Sequence, residues 1–231
     1  MITYKVVKYL PEDLMSDLIC DNYPMLLVMS RFGIDLGFGD STIQQVCQSS
    51  NVEVDTFLAV VNILVAENKK EVKIDYSKVS LTSLIDYLHS AHAYFLEYRL
   101  PSIRQKLNDS LDPNEDVSVV IVNYFDEYIA EVNRHMMYEE QTLFPYIRSV
   151  IEGNDTSAYN ISVYSEHHDR VESRLMEFKN IIIKYYPAKT TNQLNNVLYD
   201  IFSCEKDLAS HNSIEDLLLV PTMRELELVG N

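Results

Sequence analysis

The feature that most narrows what this chain can be is one spacing used three times. A histidine is followed four residues later by a glutamate at His135 and Glu139, at His168 and Glu172, and at His211 and Glu215. In an α-helix, positions i and i+4 stack on one face, so each pair sets an imidazole beside a carboxylate. A solitary pair of this kind is ordinary on a solvated helix, where it is worth about 0.2–0.5 kcal/mol. These pairs have apolar company: Leu143-Phe144-Pro145 follows the first and Leu217-Leu218-Leu219 follows the last. All six histidines of the chain fall between His89 and His211. A buried imidazole needs partners for both ring nitrogens, and a buried carboxylate must be paired or hold a metal. Metal ions meet both demands together, and the mixed nitrogen and oxygen donor set suits Fe, Mn or Zn. Clustered thiolates are missing, which argues against an iron–sulfur cluster held by the protein itself.

The pattern around these pairs predicts an all-α protein. Five glycines and seven prolines among 231 residues leave long helical periodicities uninterrupted. Four long amphipathic segments are expected at about 80–111, 117–152, 160–186 and 191–228, the second stopped by Gly153-Asn154-Asp155 and the third by Pro187. Short connections between long helices make an antiparallel up-down four-helix bundle the expected architecture. Every helix of the bundle then contributes at least one histidine. Ahead of it, residues 11–70 read as short helices, with Pro11 at a helix start and Asp40-Ser41-Thr42 as plausible caps. A division near residue 75 gives a small N-terminal helical domain, 1–75, and a bundle domain, 76–231. The loop from Gly33 to Asp40 has no lysine after it and no strand before it, so it reads as an inter-helix turn rather than a phosphate cradle.

Charge and cysteine usage exclude several functions. A formal charge of −16 opposes binding to nucleic acid or to an anionic membrane surface. The sequence has no apolar run long enough for a membrane span and opens without the marks of a secretory signal, which places the protein in the cytoplasm. Cys20, Cys47 and Cys204 are odd in number and far apart, so buried free thiols are expected. Glu140 points about 100° around the helix from Glu139 and is expected to face solvent. Tyr94, Tyr98 and Tyr138 lie near the paired positions, either as bundle packing or as hydroxyl donors to a bound oxygen species.

The segments RHMMYEEQTLFP, HNSIEDLLLVP, LIDYLHSAHAYFLEYRLPSI and SEHHDRVESRL resemble, in turn, the second-, fourth-, first- and third-helix ligand motifs of the hemerythrin-like HHE domain. Over essentially the whole chain the resemblance is to the two-domain di-iron proteins of the Repair of Iron Centres type. It implies a metal ligand set of His92, His135, Glu139, His168, His211 and Glu215, with His89 and Glu172 as further candidates. It also implies two non-haem irons bridged by the carboxylates and an oxo or hydroxo group. The implied role is to bind NO or O₂, or to supply iron, in repair of iron–sulfur clusters damaged by nitrosative or oxidative stress. Its alternative is a non-catalytic sensor of O₂, NO or iron. Implied partners are the diatomic ligand, iron–sulfur client proteins and a second copy of the chain in a homodimer. One departure is clear: the family's N-terminal loop carries an adjacent cysteine pair, and the corresponding loop here, GIDLGFGD, has none.

Overall fold

A computed structural model describes residues 9–154, 160–167, 172–187 and 192–229, without the side chains of 70, 165–167, 172, 173 and 229. Among the described residues the regular structure is helical, apart from one isolated antiparallel bridge between Leu14 and Thr42. Four short helices come first: α1 (Met15–Asp21), α2 (Met25–Arg31), α3 (Ile43–Ser49) and α4 (Val54–Val65). Four long runs follow. The first joins α5 (Leu81–Ala93) to α6 (Leu100–Ser110), and the second joins α7 (Asp116–Tyr138) to α8 (Phe144–Ile151). The third is described as α9 (Ile161–His167) and α10 (Glu172–Tyr185), and the fourth joins α11 (Asn192–Ile214) to α12 (Val220–Val229). The fold is therefore the expected all-helical one, and the long segments lie where the periodicity puts them.

By packing, the chain forms two compact units. The first comprises Met1–Ser90, Tyr146–Ser165 and Ser213–Asn231, and the second Ala91–Pro145 and Glu166–Asn212. In the first unit, local chemistry sets the helix ends. Thr42 and Gln45 form a reciprocal capping box on α3: the Thr42 hydroxyl accepts from the Gln45 amide at 3.3 Å, and the Gln45 side chain accepts from the Thr42 amide at 2.9 Å. Two glycines stop helices by adopting positive φ. After α2, Gly33 (φ 68°) lets Ile34 N–H reach Met29 O at 2.9 Å. After α8, Gly153 (φ 75°) does the same for Asn154 N–H and Ser149 O at 3.0 Å. Both are the left-handed stop that a Cβ would strain. The helix expected from Pro11 begins instead at Met15, because Asp13 accepts the Leu10 amide at 2.7 Å and holds a turn there.

Side-chain amides and carboxylates tie this unit together. Asn62, buried on α4, pairs with the Tyr9 backbone in both directions, accepting at 2.8 Å and donating at 3.1 Å. Glu227 on α12 accepts from the hydroxyl of buried Tyr146 on α8 and from the Ile161 amide at the start of α9, the latter at 3.1 Å. Glu227→Ala removes the shared acceptor from both donors. It should destabilise the chain by about 1–3 kcal/mol, read as a lower midpoint in urea unfolding. The cysteines partly depart from expectation. Cys47 and Cys204 are buried, and burial pushes the Cys47 thiol up to about 12, but Cys20 is exposed on α1.

The second unit is a four-helix core. Phe95 and Ile103 from the first run, Phe125 and Val132 from the second, Phe178 from the third and Leu208 from the fourth share one buried cluster. Its rim is ionic: Arg99 and Lys106 meet Asp200 at 3.0 and 2.8 Å, and Arg104 meets Asp126 at 3.0 Å.

Candidate metal centre

Three of the long runs do not continue as regular α-helix, two of them at a histidine–glutamate pair and the first just after His92. Wider π-helical turns occupy Tyr94–Arg99, Glu139–Leu143 and Glu215–Leu219. Each is followed by a proline one residue into the next α segment, at Pro101, Pro145 and Pro221. Proline has no N–H to donate, and its ring crowds the carbonyl four residues back, so the α-helical ladder is interrupted at these points. A π turn carries the helix through the interruption and is frequent at functional sites. In the last run the carbonyl that Pro221 cannot serve, Leu217 O, lies 3.4 Å from the Tyr76 hydroxyl, which donates to it. Glu139 and Glu215 each open their π turn, and their histidines stand one α-helical turn before them.

Four ligand atoms come together beside these turns. Ligand atoms of His92, Glu139, His211 and Glu215 all lie within 4.8 Å of one another. All four residues are buried, with relative exposures of 2%, 0%, 1% and 0%. Two carboxylates held that close inside a packed core repel each other unless a cation lies between them. Glu139 divides its oxygens: Oε2 is 3.1 Å from His92 Nε2, and Oε1 is 3.3 Å from His135 Nε2. Donors about 2.1 Å from one ion and at right angles around it stand about 3 Å apart, so these separations suit ligands that share an ion. Glu139 thus presents one carboxylate oxygen to each of two imidazoles. The donor set, imidazole plus carboxylate without thiolate, suits iron.

Aromatic rings wall the centre. The His92 ring stacks on Phe144, with centroids 5.4 Å apart and planes 8° apart, and the Phe95 and His211 rings are nearly perpendicular with centroids 6.0 Å apart. The two imidazoles are themselves 5.1 Å apart.

Of the residues singled out in the sequence, His92, Glu139, His211 and Glu215 come together, and His135 joins them through Glu139. Of the two first-run histidines, His92 lies in the cluster and His89 is exposed. His168, Glu172 and His167 lie outside the described side chains. Tyr98 and Tyr138 are exposed rather than packed in the bundle, while Tyr94 is partly buried against Phe95 and Tyr98. Glu140 departs most from expectation. It is not turned out to solvent but meets His92 Nδ1 at 2.7 Å. The 100° step between consecutive residues belongs to an α-helix, and the π turn that starts at Glu139 makes that step smaller. The signal available in the sequence was the proline six residues after Glu139, repeated six residues after Glu215.

Comparison with known proteins agrees with this geometry. The model of a family described as Hemerythrin HHE cation binding domain matches residues 83–223. A protein of Haemophilus influenzae (strain ATCC 51907 / DSM 11121 / KW20 / Rd), named "Probable iron-sulfur cluster repair protein", is 25% identical over 204 residues. That alignment covers 84% of this chain and 88% of the relative, a longer span than the family match. No helix among the described residues is long and apolar enough to cross a membrane.

Proposed function

The chain belongs to the hemerythrin HHE cation binding domain family, and from that premise we propose that it is a di-iron protein acting in the repair of iron–sulfur clusters damaged by nitrosative or oxidative stress. The observation that carries the reading is the division of Glu139's two oxygens between His92 and His135, with His211 and Glu215 in the same cluster. In this reading His92, His135, His168 and His211 would hold the irons through their imidazoles, and Glu139 and Glu215 would supply carboxylate oxygens to them. Glu172, four residues after His168, is a further candidate donor, and exposed His89 is left out. The name of the Haemophilus relative supports iron–sulfur proteins as clients.

When bound, the iron pair would supply one-electron chemistry and a coordination position for NO or O₂. The chain's own residues supply the rest. Glu139 and Glu215 compensate the ions' positive charge inside the bundle, and Phe95 and Phe144 exclude water around the imidazoles. The same proposal places the protein in the cytoplasm, divides it in chain order near residue 75, and pairs two copies through the N-terminal part.

One observation favours a second reading, a sensor that reports O₂, NO or iron to a partner without turnover. The loop that carries adjacent cysteines in repair proteins of this type has none here, and the free cysteines lie elsewhere, at Cys20, Cys47 and Cys204. Incubation of the iron-loaded protein with an NO-damaged [4Fe–4S] enzyme separates the two. Recovery of the enzyme's activity beyond that given by free iron supports repair. No recovery, together with a reversible spectral change on adding NO or O₂, supports the sensor.

A further inference from the structure

Glu140 is adjacent to Glu139 but is not among the four converging ligands. Its Oε1 lies 2.7 Å from His92 Nδ1, within hydrogen-bond distance, and its side chain keeps 20% exposure while the imidazole has 2%. An ionised carboxylate only accepts, so the ring nitrogen facing it carries the hydrogen. Phe144, four residues after Glu140, covers one face of the same ring. His92 is thus held on one edge and one face, and the nitrogen left to point at the centre is Nε2, 3.1 Å from Glu139 Oε2.

We propose that Glu140 is the positioning residue of the metal centre, an anionic acceptor that fixes His92 in its Nδ1–H form and strengthens Nε2 as a donor to iron. The proposal rests on the ligand reading above. A carboxylate behind a metal-bound imidazole orients the ring and raises its basicity, and loss of such a partner typically weakens metal binding about 10- to 100-fold. The added electron density also favours the ferric over the ferrous state. The π turn at Glu139 makes this possible, because it brings two consecutive glutamates to bear on one imidazole.

The test compares Glu140→Ala and the isosteric Glu140→Gln with the wild-type chain. In the metal-free wild type, ¹⁵N NMR of histidine-labelled protein should show His92 protonated at Nδ1, and Glu140→Ala should abolish that preference. Glu140→Ala should bind Fe(II), added anaerobically, about 10- to 100-fold more weakly. Glu140→Gln keeps an acceptor without the charge, so it should lose less affinity but show a higher Fe(III)/Fe(II) midpoint potential. A merely structural role would not move that potential in an isosteric variant. A wild type that binds iron while both variants match it in affinity and potential overturns the role of Glu140 alone, as does His92 protonated at Nε2 in the metal-free chain. A wild type that takes up no iron overturns the metal reading and this role with it.

Discussion

Replacing Glu139 and Glu215 together by methionine should make the metal-free chain more stable while abolishing iron binding. Both carboxylates are buried, with ligand oxygens inside a cluster no wider than 4.8 Å. Without a cation between them, two like charges would repel at short range, and both carboxylates have left water. Methionine is close to glutamate in length, flexible enough to fill the space, and carries no charge. Exchanging buried ionic groups for packed apolar ones commonly stabilises by about 1–4 kcal/mol. At about 2–4 °C per kcal/mol for a chain of this size, the thermal midpoint should rise by several degrees. Such a gain, bought with lost function, marks residues kept for what they bind. If these glutamates were structural, for example through the approaches of Glu139 to His92 and His135, the double variant would melt lower than the metal-free wild type.

Iron added to the metal-free wild type should reverse that order. An ion that binds the folded chain alone adds about 2.7 kcal/mol at a hundred times its Kd, so the melting temperature should climb with the logarithm of iron concentration. The double methionine variant should not respond. The increment should depend on pH, because imidazole and carboxylate must give up protons to bind a metal. Imidazole ordinarily titrates near about 6.5. Bound metal lowers the proton affinity of the folded state's ligands, so the stabilisation is full above neutrality and is lost as pH falls through that region. Differential scanning fluorimetry with and without anaerobic Fe(II), from about pH 5 to pH 8, reads this directly. An iron-independent melting temperature across that range would contradict it.

Much of the architecture was legible because helix physics is local. Few glycines and prolines left four long periodicities intact, and the Gly153 stop falls where a left-handed residue is needed. The pairs His135 with Glu139 and His211 with Glu215 were legible for the same reason: their histidines lie in regular α-helix, where i and i+4 share a face. What could not be read was the geometry that starts at the second member of each pair. A proline inside a helical pattern ordinarily signals a stop or kink, and nothing in the periodicity separates that from a helix carried through on a π turn. Glu140 was misplaced as a direct result, since its expected direction assumed an α-helical step. Cys20 was misjudged because the general tendency of free cysteine to be buried does not show which face of α1 the chain covers. That His92 meets Glu139 and Phe144 depends on how the second run lies against the first, a tertiary fact.

Mössbauer spectroscopy with metal analysis, on protein loaded with ⁵⁷Fe without oxygen, tests the central claim most directly. Two irons per chain, in paired high-spin sites with nitrogen and oxygen ligands, are the predicted result. A chain that retains at most one metal ion, or two irons that behave as isolated and unrelated sites, would contradict a centre in which Glu139 and Glu215 serve both ions.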